Sequence, residues 1–277
     1  MNLEASDRLQ DGFVPAATAA VPAVQPRRRG WLARCRAQGR KLPGAVAARW
    51  RGLALVLVTA IIWIAHYDRW TTASWNLPTD YYVDAQETLA RLKAASEGDT
   101  LPLRPQVIER LGAPFGAHWN AYPTPDKPLM LALGALVHGV GLYAAANIGL
   151  LLAVVTAALA FYVVARRIRC RWEWAAAMAL LFAFTYHTVH RGLSHYSLVF
   201  TWTVPAGLLA VWLVAGSHRL AWGRSGAAWC LGAAAALGVS NPYNLLFWLQ
   251  LMGWALVFQW FGGRRRPNLQ IGAAAIA

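Results

Sequence analysis

The chain has 277 residues, of which 57% are hydrophobic and only 14% charged, with 15 Trp. That balance excludes an ordinary soluble domain and fits a polytopic membrane protein. The formal net charge of +14 does not imply a nucleic-acid partner, because the Lys and Arg sit mostly in short runs beside apolar stretches, where they act as topology determinants.

Residues 1–48 read as a disordered, basic cytoplasmic tail. Its first 25 residues are low in complexity. The run RRRGWLARCRAQGRK then builds a dense basic patch ahead of Leu53. That patch reads as a positive-inside signal, with a lipid-headgroup site as the alternative. A cleaved signal peptide is not expected, since the charged region is too long and no small-residue cleavage site follows His66. Cys35, Cys170 and Cys230 are far apart, without metal-ligand spacing or a disulfide framework.

Residues 49–277 read as a transmembrane domain of about six spans and the start of another. The first span runs from Arg49 to Tyr67, since about twenty residues cross the hydrocarbon. Trp50, Trp63, Tyr67 and Trp70 suit its two interfaces. A long external loop, 67–142, follows. Eight of the chain's 12 acids lie between His66 and Lys127, so this loop supplies the carboxylates for any acid/base chemistry. Val83–Ala95 has helical spacing, with Leu89 and Leu92 on one face, as in a helix lying along a surface. Gly112, Pro114, Gly116, Pro123 and Pro125 mark an irregular stretch. Pro128–Gly141 is apolar but short for a span, and reads as a re-entrant or interfacial helix.

On that reading the later spans are Tyr143–Val164, Trp174–Tyr186, Leu198–Ala215, Ala227–Val239 and Leu245–Phe261. Every basic connector (RRIRCR, SHRLAWGR, GGRRRP) then falls in the cytoplasm. The His, Asn and Tyr clusters fall outside, with the acidic loop. The last ten residues, NLQIGAAAIA, resemble the opening of a further span, as expected of the N-terminal portion of a longer protein or of a truncated reading frame.

Four polar constellations could carry chemistry. In TDYYVDAQ, Asp80 and Asp84 stand four apart and would share a helix face. One could be a general base at the membrane surface; alternatively, Asp80 caps the helix that follows. In LGAPFGAHWNAYPTPDKP, Trp119, Asn120, Asp126 and Lys127 could line a sugar or phosphate site, or serve turns and the interface. In HTVHRGLSHYS, His187, His190, Arg191 and His195 could neutralise a phosphate leaving group, or cap an interface. In SNPYN, Tyr243 faces outward from a short turn. No acid completes a metal shell with these histidines. No cofactor is called for; a divalent metal is compatible with these residues but not indicated.

The layout resembles the N-terminal half of the GT-C superfamily of membrane glycosyltransferases, over roughly residues 50–260. The resemblance rests on a first span, an external loop with an early Asp (Asp80 or Asp84), and a Lys127-Pro128 pair opening a juxtamembrane helix. A second span ends in Arg166-Arg167, and a third ends at a polar external turn. It also extends to poorly characterised bacterial membrane proteins with RLGAPFG and RGxSHYSL strings. Two departures stand out: Arg191 and His195 occupy a turn where many members carry an acid, and the C-terminal half is absent.

The resemblance implies an all-α, polytopic helix bundle in a cell inner membrane, with a cytoplasmic N-terminus and an external loop carrying juxtamembrane helices. It implies membrane lipids and a polyprenyl-phosphate-linked sugar donor as partners, transfer at the periplasmic face, and a catalytic role for Asp80 or Asp84. The competing expectations are a transporter or flippase for a lipid-linked or small polar substrate, and a non-catalytic fragment.

Overall fold

The computed structural model describes residues 45–101, 106–108, 114–119, 126–215, 224–239, 241–261, 273–274 and 276. The basic tail, Asn120, and most of the connectors SHRLAWGR and GGRRRP lie outside that set.

The described chain is mostly helical. Helix α1 (Ala45–His66) leads through the short α2 (Thr72–Trp75) to α3 (Val83–Glu97). A two-residue antiparallel ladder, β1 (Val107–Ile108) with β2 (Ala117–His118), interrupts the helices. Then come α4 (Lys127–Val140), α5 (Leu142–Arg167), α6 (Trp172–Ala183) and the short α7 (Tyr186–Arg191). A 3₁₀ turn (Tyr196–Val199) precedes α8 (Thr203–Ala215), α9 (Arg224–Gly238) and α10 (Pro242–Phe261).

Among the described residues, three helices are long and apolar enough to cross a membrane: Arg49–His66 within α1, Leu142–Arg167 and Pro242–Phe261. At 1.5 Å per residue, the 26 residues of α5 exceed the roughly 30 Å hydrocarbon thickness. Helices α4, α8 and most of α9 are apolar but shorter.

Two buried clusters hold the described residues together. The first surrounds α5, which contributes Ala145, Ala146, Ala153, Ala157 and Ala158. Small side chains let neighbouring backbones approach closely, the usual solution where water supplies no driving force between helices. Helix α3 lays Ala85, Leu89, Leu92 and Ala95 into this cluster, alongside Met130 and Leu133 of α4. Its apolar face is thus covered by protein rather than by a bilayer surface. Trp63 is also buried here, 2% exposed, against Tyr67 and Trp75. It is a core residue, whereas Trp50 and Trp70 are exposed as an interfacial role requires. The second cluster joins α8, α9 and α10 through Leu209, Leu213, Leu237, Trp248 and Met252.

Candidate functional site

The first wall of the site begins where α1 ends. The chain turns at Asp68, in the left-handed region, and folds into a compact knot. Arg69 donates to the Ser74 carbonyl, and the Trp75 indole donates to the Arg69 carbonyl at 2.9 Å. A Thr71/Ser74 capping box starts α2. Asn147 of α5, fully buried, then donates its amide to the carbonyls of Trp75 and Leu77, each at 2.8 Å. This clamp fixes the approach to Thr79 and Asp80.

Helix α3 starts after Asp80. Its N-cap is Tyr82, with no side-chain cap bond. Asp80 therefore does not cap α3, and it does not share a helix face with Asp84. Asp84 sits in the first turn, where the exposed N–H groups favour a negative charge.

The second wall is the histidine-rich bend. Thr185 accepts from the Thr188 amide and starts α7. That cap explains why α6 stops at Ala183, although apolar sequence continues to Phe184. Helix α7 ends at Gly192, with φ +47°, a conformation natural to glycine. A Cβ at Gly192 would come within 3.1 Å of Asp80 Oδ2. The missing side chain thus admits the carboxylate to the bend. Beyond it, the Tyr196 hydroxyl donates to the Ala146 carbonyl at 2.9 Å. One turn of α5 therefore anchors both walls, through Asn147 and Ala146.

Between the walls lies an open cleft of about 1180 Å³, at the large end for a small-molecule site. Asp80, Asp84, His190, Arg191 and His195 all line it, as do His66, Tyr67 and His187. Ser194 Oγ donates to Asp80 Oδ1 at 3.1 Å. His195 Nε2 stands 3.8 Å from Asp84 Oδ2, an ion pair when the imidazole is protonated. His190 stacks on Tyr186 at 4.8 Å. The Tyr67 hydroxyl donates to the Val189 carbonyl at 3.0 Å. Its pKa is pushed up by burial and by nearby Asp80, partly offset by Arg69, so it stays a neutral donor.

The other sequence candidates lie elsewhere. Trp119 extends the small hairpin, its amide donating to the Gln106 carbonyl at 2.8 Å. Lys127 is the first residue of α4, behind its N-cap Asp126. Tyr243 is exposed in the first turn of α10. None of these four lines the cleft. Asp126 is buried with Oδ2 unpartnered, and burial raises its carboxyl to a pKa of about 7. Among the described residues, no group of three His, Cys, Asp or Glu is placed to hold a metal ion.

Ser194, Gly192 and Tyr67 are cleft residues that sequence reasoning missed. No local pattern marks Ser194, because its partner lies 114 residues away. Chemically, the cleft sets two carboxylates against one permanent cation, Arg191, and several titratable imidazoles. Such a site can accept a proton at one wall and hold an anion at the other. No family model, curated protein or solved structure matches this chain.

Proposed function

We propose that the chain is a polytopic membrane glycosyltransferase of GT-C type, which moves a sugar from a polyprenyl phosphate to an acceptor hydroxyl or amine at the periplasmic face. The observation that supports it most is the pairing of Asp80 and Asp84 with Arg191 and the histidines across one cleft. The acceptor atom attacks the anomeric carbon, and its proton passes to Asp80, with Asp84 as the alternative base. The bond from that carbon to the phosphate oxygen breaks, and the leaving polyprenyl phosphate keeps the electron pair. Arg191, His190 and His195 stabilise the growing charge on the phosphate. Positioning by the two anchored walls supplies much of the remainder.

A second reading, transport, calls for ionisable groups within spans. Helices α5 and α10 carry no carboxylate, so nothing specific favours it. The test is sugar transfer from a radiolabelled polyprenyl-phosphate donor by purified protein. Loss of transfer in Asp80→Asn supports the proposal. Full activity in both Asp80→Asn and Asp84→Asn removes it.

A further inference from the structure

Helices α1 and α5 each have one end at the walls of the cleft, His66 in α1 and the Ala146–Asn147 anchor in α5. Their other ends carry arginine. Arg51 lies about 22 Å along α1 from His66, at 1.5 Å per residue. Its guanidinium stands over the Trp172 ring of α6, 4.7 Å from the centroid, and within electrostatic reach of Glu173. The start of α1 is thereby brought to the turn between α5 and α6. That turn is fixed from within. Arg169 adopts φ +70°, the Cys170 amide donates to the Ala165 carbonyl at 2.9 Å, and the Arg166 guanidinium donates to the Cys170 carbonyl.

Six arginines belong to these helix ends and the turn: Arg49, Arg51, Arg166, Arg167, Arg169 and Arg171. Glu173 is the single acid of α1, α5, α6 and the turn, and Arg171 already donates to it at 3.3 Å. Six positive charges less one negative leave +5. Trp50, Ile168 and Trp174 beside them are exposed. The candidate spans begin at Arg49 and end at Arg167, which puts these cations and rings at the edge of the hydrocarbon. The charge selects an anion. The exposed indoles select an amphipathic one, because free phosphate would leave them in water. A zwitterionic headgroup brings its own cation and answers less of the excess charge. Stacking on Trp172 uses the face of the Arg51 guanidinium and leaves its N–H edge to a phosphate, with the side chain already ordered. We propose that this surface, centred on Arg51 and Arg171, binds the phosphate of an anionic glycerophospholipid headgroup. Counting basic residues along the sequence gives only a topology bias; the Arg51–Trp172 stack is what joins cations from two remote segments into one site. The inference rests on the membrane part of the proposed function and not on sugar transfer.

The test uses the full chain, purified in detergent and titrated with phosphatidylglycerol or with phosphatidylcholine of the same acyl chains. Bound lipid is counted by native mass spectrometry. The wild-type chain should hold its first phosphatidylglycerol roughly tenfold or more tighter than phosphatidylcholine, since each of two arginines contributes about fivefold at an anionic headgroup. In Arg51→Gln/Arg171→Gln the preference should fall to near one. The charge-keeping pair Arg51→Lys/Arg171→Lys should retain part of it, and Lys93→Gln on α3 should leave it unchanged. No preference in the wild-type chain, or an equal loss in the Lys and Gln pairs, overturns the assignment. So does displacement of the lipid by millimolar inorganic phosphate, which would make this a site for a free anion. Reconstitution into phosphatidylcholine vesicles is scored separately. A chain that does not enter them takes the membrane reading and this inference with it. A chain that enters but shows no preference for phosphatidylglycerol loses only this site. Neither readout depends on whether sugar is transferred.

Discussion

Gly149 of α5 lies directly beneath the Tyr196 hydroxyl, so close that a Cβ on the glycine would overlap the phenol oxygen. The contact seats the histidine-rich bend on α5, because the same hydroxyl donates to Ala146. Gly149→Ala should therefore eject the phenol from its seat and strand a buried hydroxyl, at about 1–3 kcal/mol of stability. Tyr196→Phe removes the hydroxyl and should cost only about 1 kcal/mol. In the double variant the overlap with the phenol oxygen is gone, although the Cβ still meets the ring Cζ at 2.9 Å and Leu133 Cδ1 at 2.8 Å, so the two losses should add to less than their sum. Thermal unfolding of the four proteins measures the coupling. Strict additivity would show that the glycine is not there for the tyrosine.

Asn147 performs the matching task for the other wall. Its amide meets the carbonyls of Trp75 and Leu77. Asn147→Leu keeps the volume but removes both hydrogen bonds, an expected loss of about 1–3 kcal/mol for the pair. The loss should be local before it is global. Hydrogen exchange at residues 76–82 should quicken by tenfold or more, while α6 exchanges as before. Uniform acceleration across the protein would place the role of Asn147 in general packing.

Much of the helical order is legible in the sequence, because long apolar runs and basic ends are strong signals. The run from Leu142 to Arg167 shows both. Boundaries are less legible where polar caps interrupt an apolar run. The expected span at Leu198 begins at Thr203, after a 3₁₀ turn. Pro205 in the first turn is the signal, since proline is tolerated only there. Likewise the expected span at Leu245 begins earlier, at Pro242, which opens α10, and Asn241 caps it by accepting from the Tyr243 amide at 2.9 Å. The site is half legible. Asp80, Asp84 and the histidine bend stand out as polar exceptions in a greasy chain. Their pairing does not, because it depends on a glycine and a serine whose partners are remote in sequence.

Ser194 and Gly192 act on Asp80 from one side of the cleft, one by donating a hydrogen bond and one by leaving space. Ser194→Ala removes a bond to the Asp80 carboxylate, worth about 1.5–3 kcal/mol, so the proposed transfer should fall by roughly tenfold or more through looser placement of the proposed base. Gly192→Ala adds a methyl against the carboxylate and strains a backbone at positive φ, so it should cost at least as much. Ser194→Thr keeps the hydroxyl and should recover part of the activity. Steady-state transfer rates check all three, and undiminished transfer in Ser194→Ala would detach Ser194 from the proposed reaction.

Asp126 links stability to pH. Burial raises its carboxyl from the usual 3.8 to about 7 in the folded protein, while the unfolded chain keeps an ordinary value. Between those values the folded state holds a proton that the unfolded state has released, so stability must fall as pH rises. The contribution is fully present below about pH 4, declines up to about pH 7 and is flat beyond, an upper limit of about 4 kcal/mol at 1.36 kcal/mol per unit. Asp126→Asn tests the origin cleanly, since asparagine tolerates the left-handed backbone at φ +56° and never ionises. The variant should match the parent at pH 4 and exceed it at pH 8. Chemical denaturation at both values measures the gap, and parallel pH curves for the two proteins would remove Asp126 as its source.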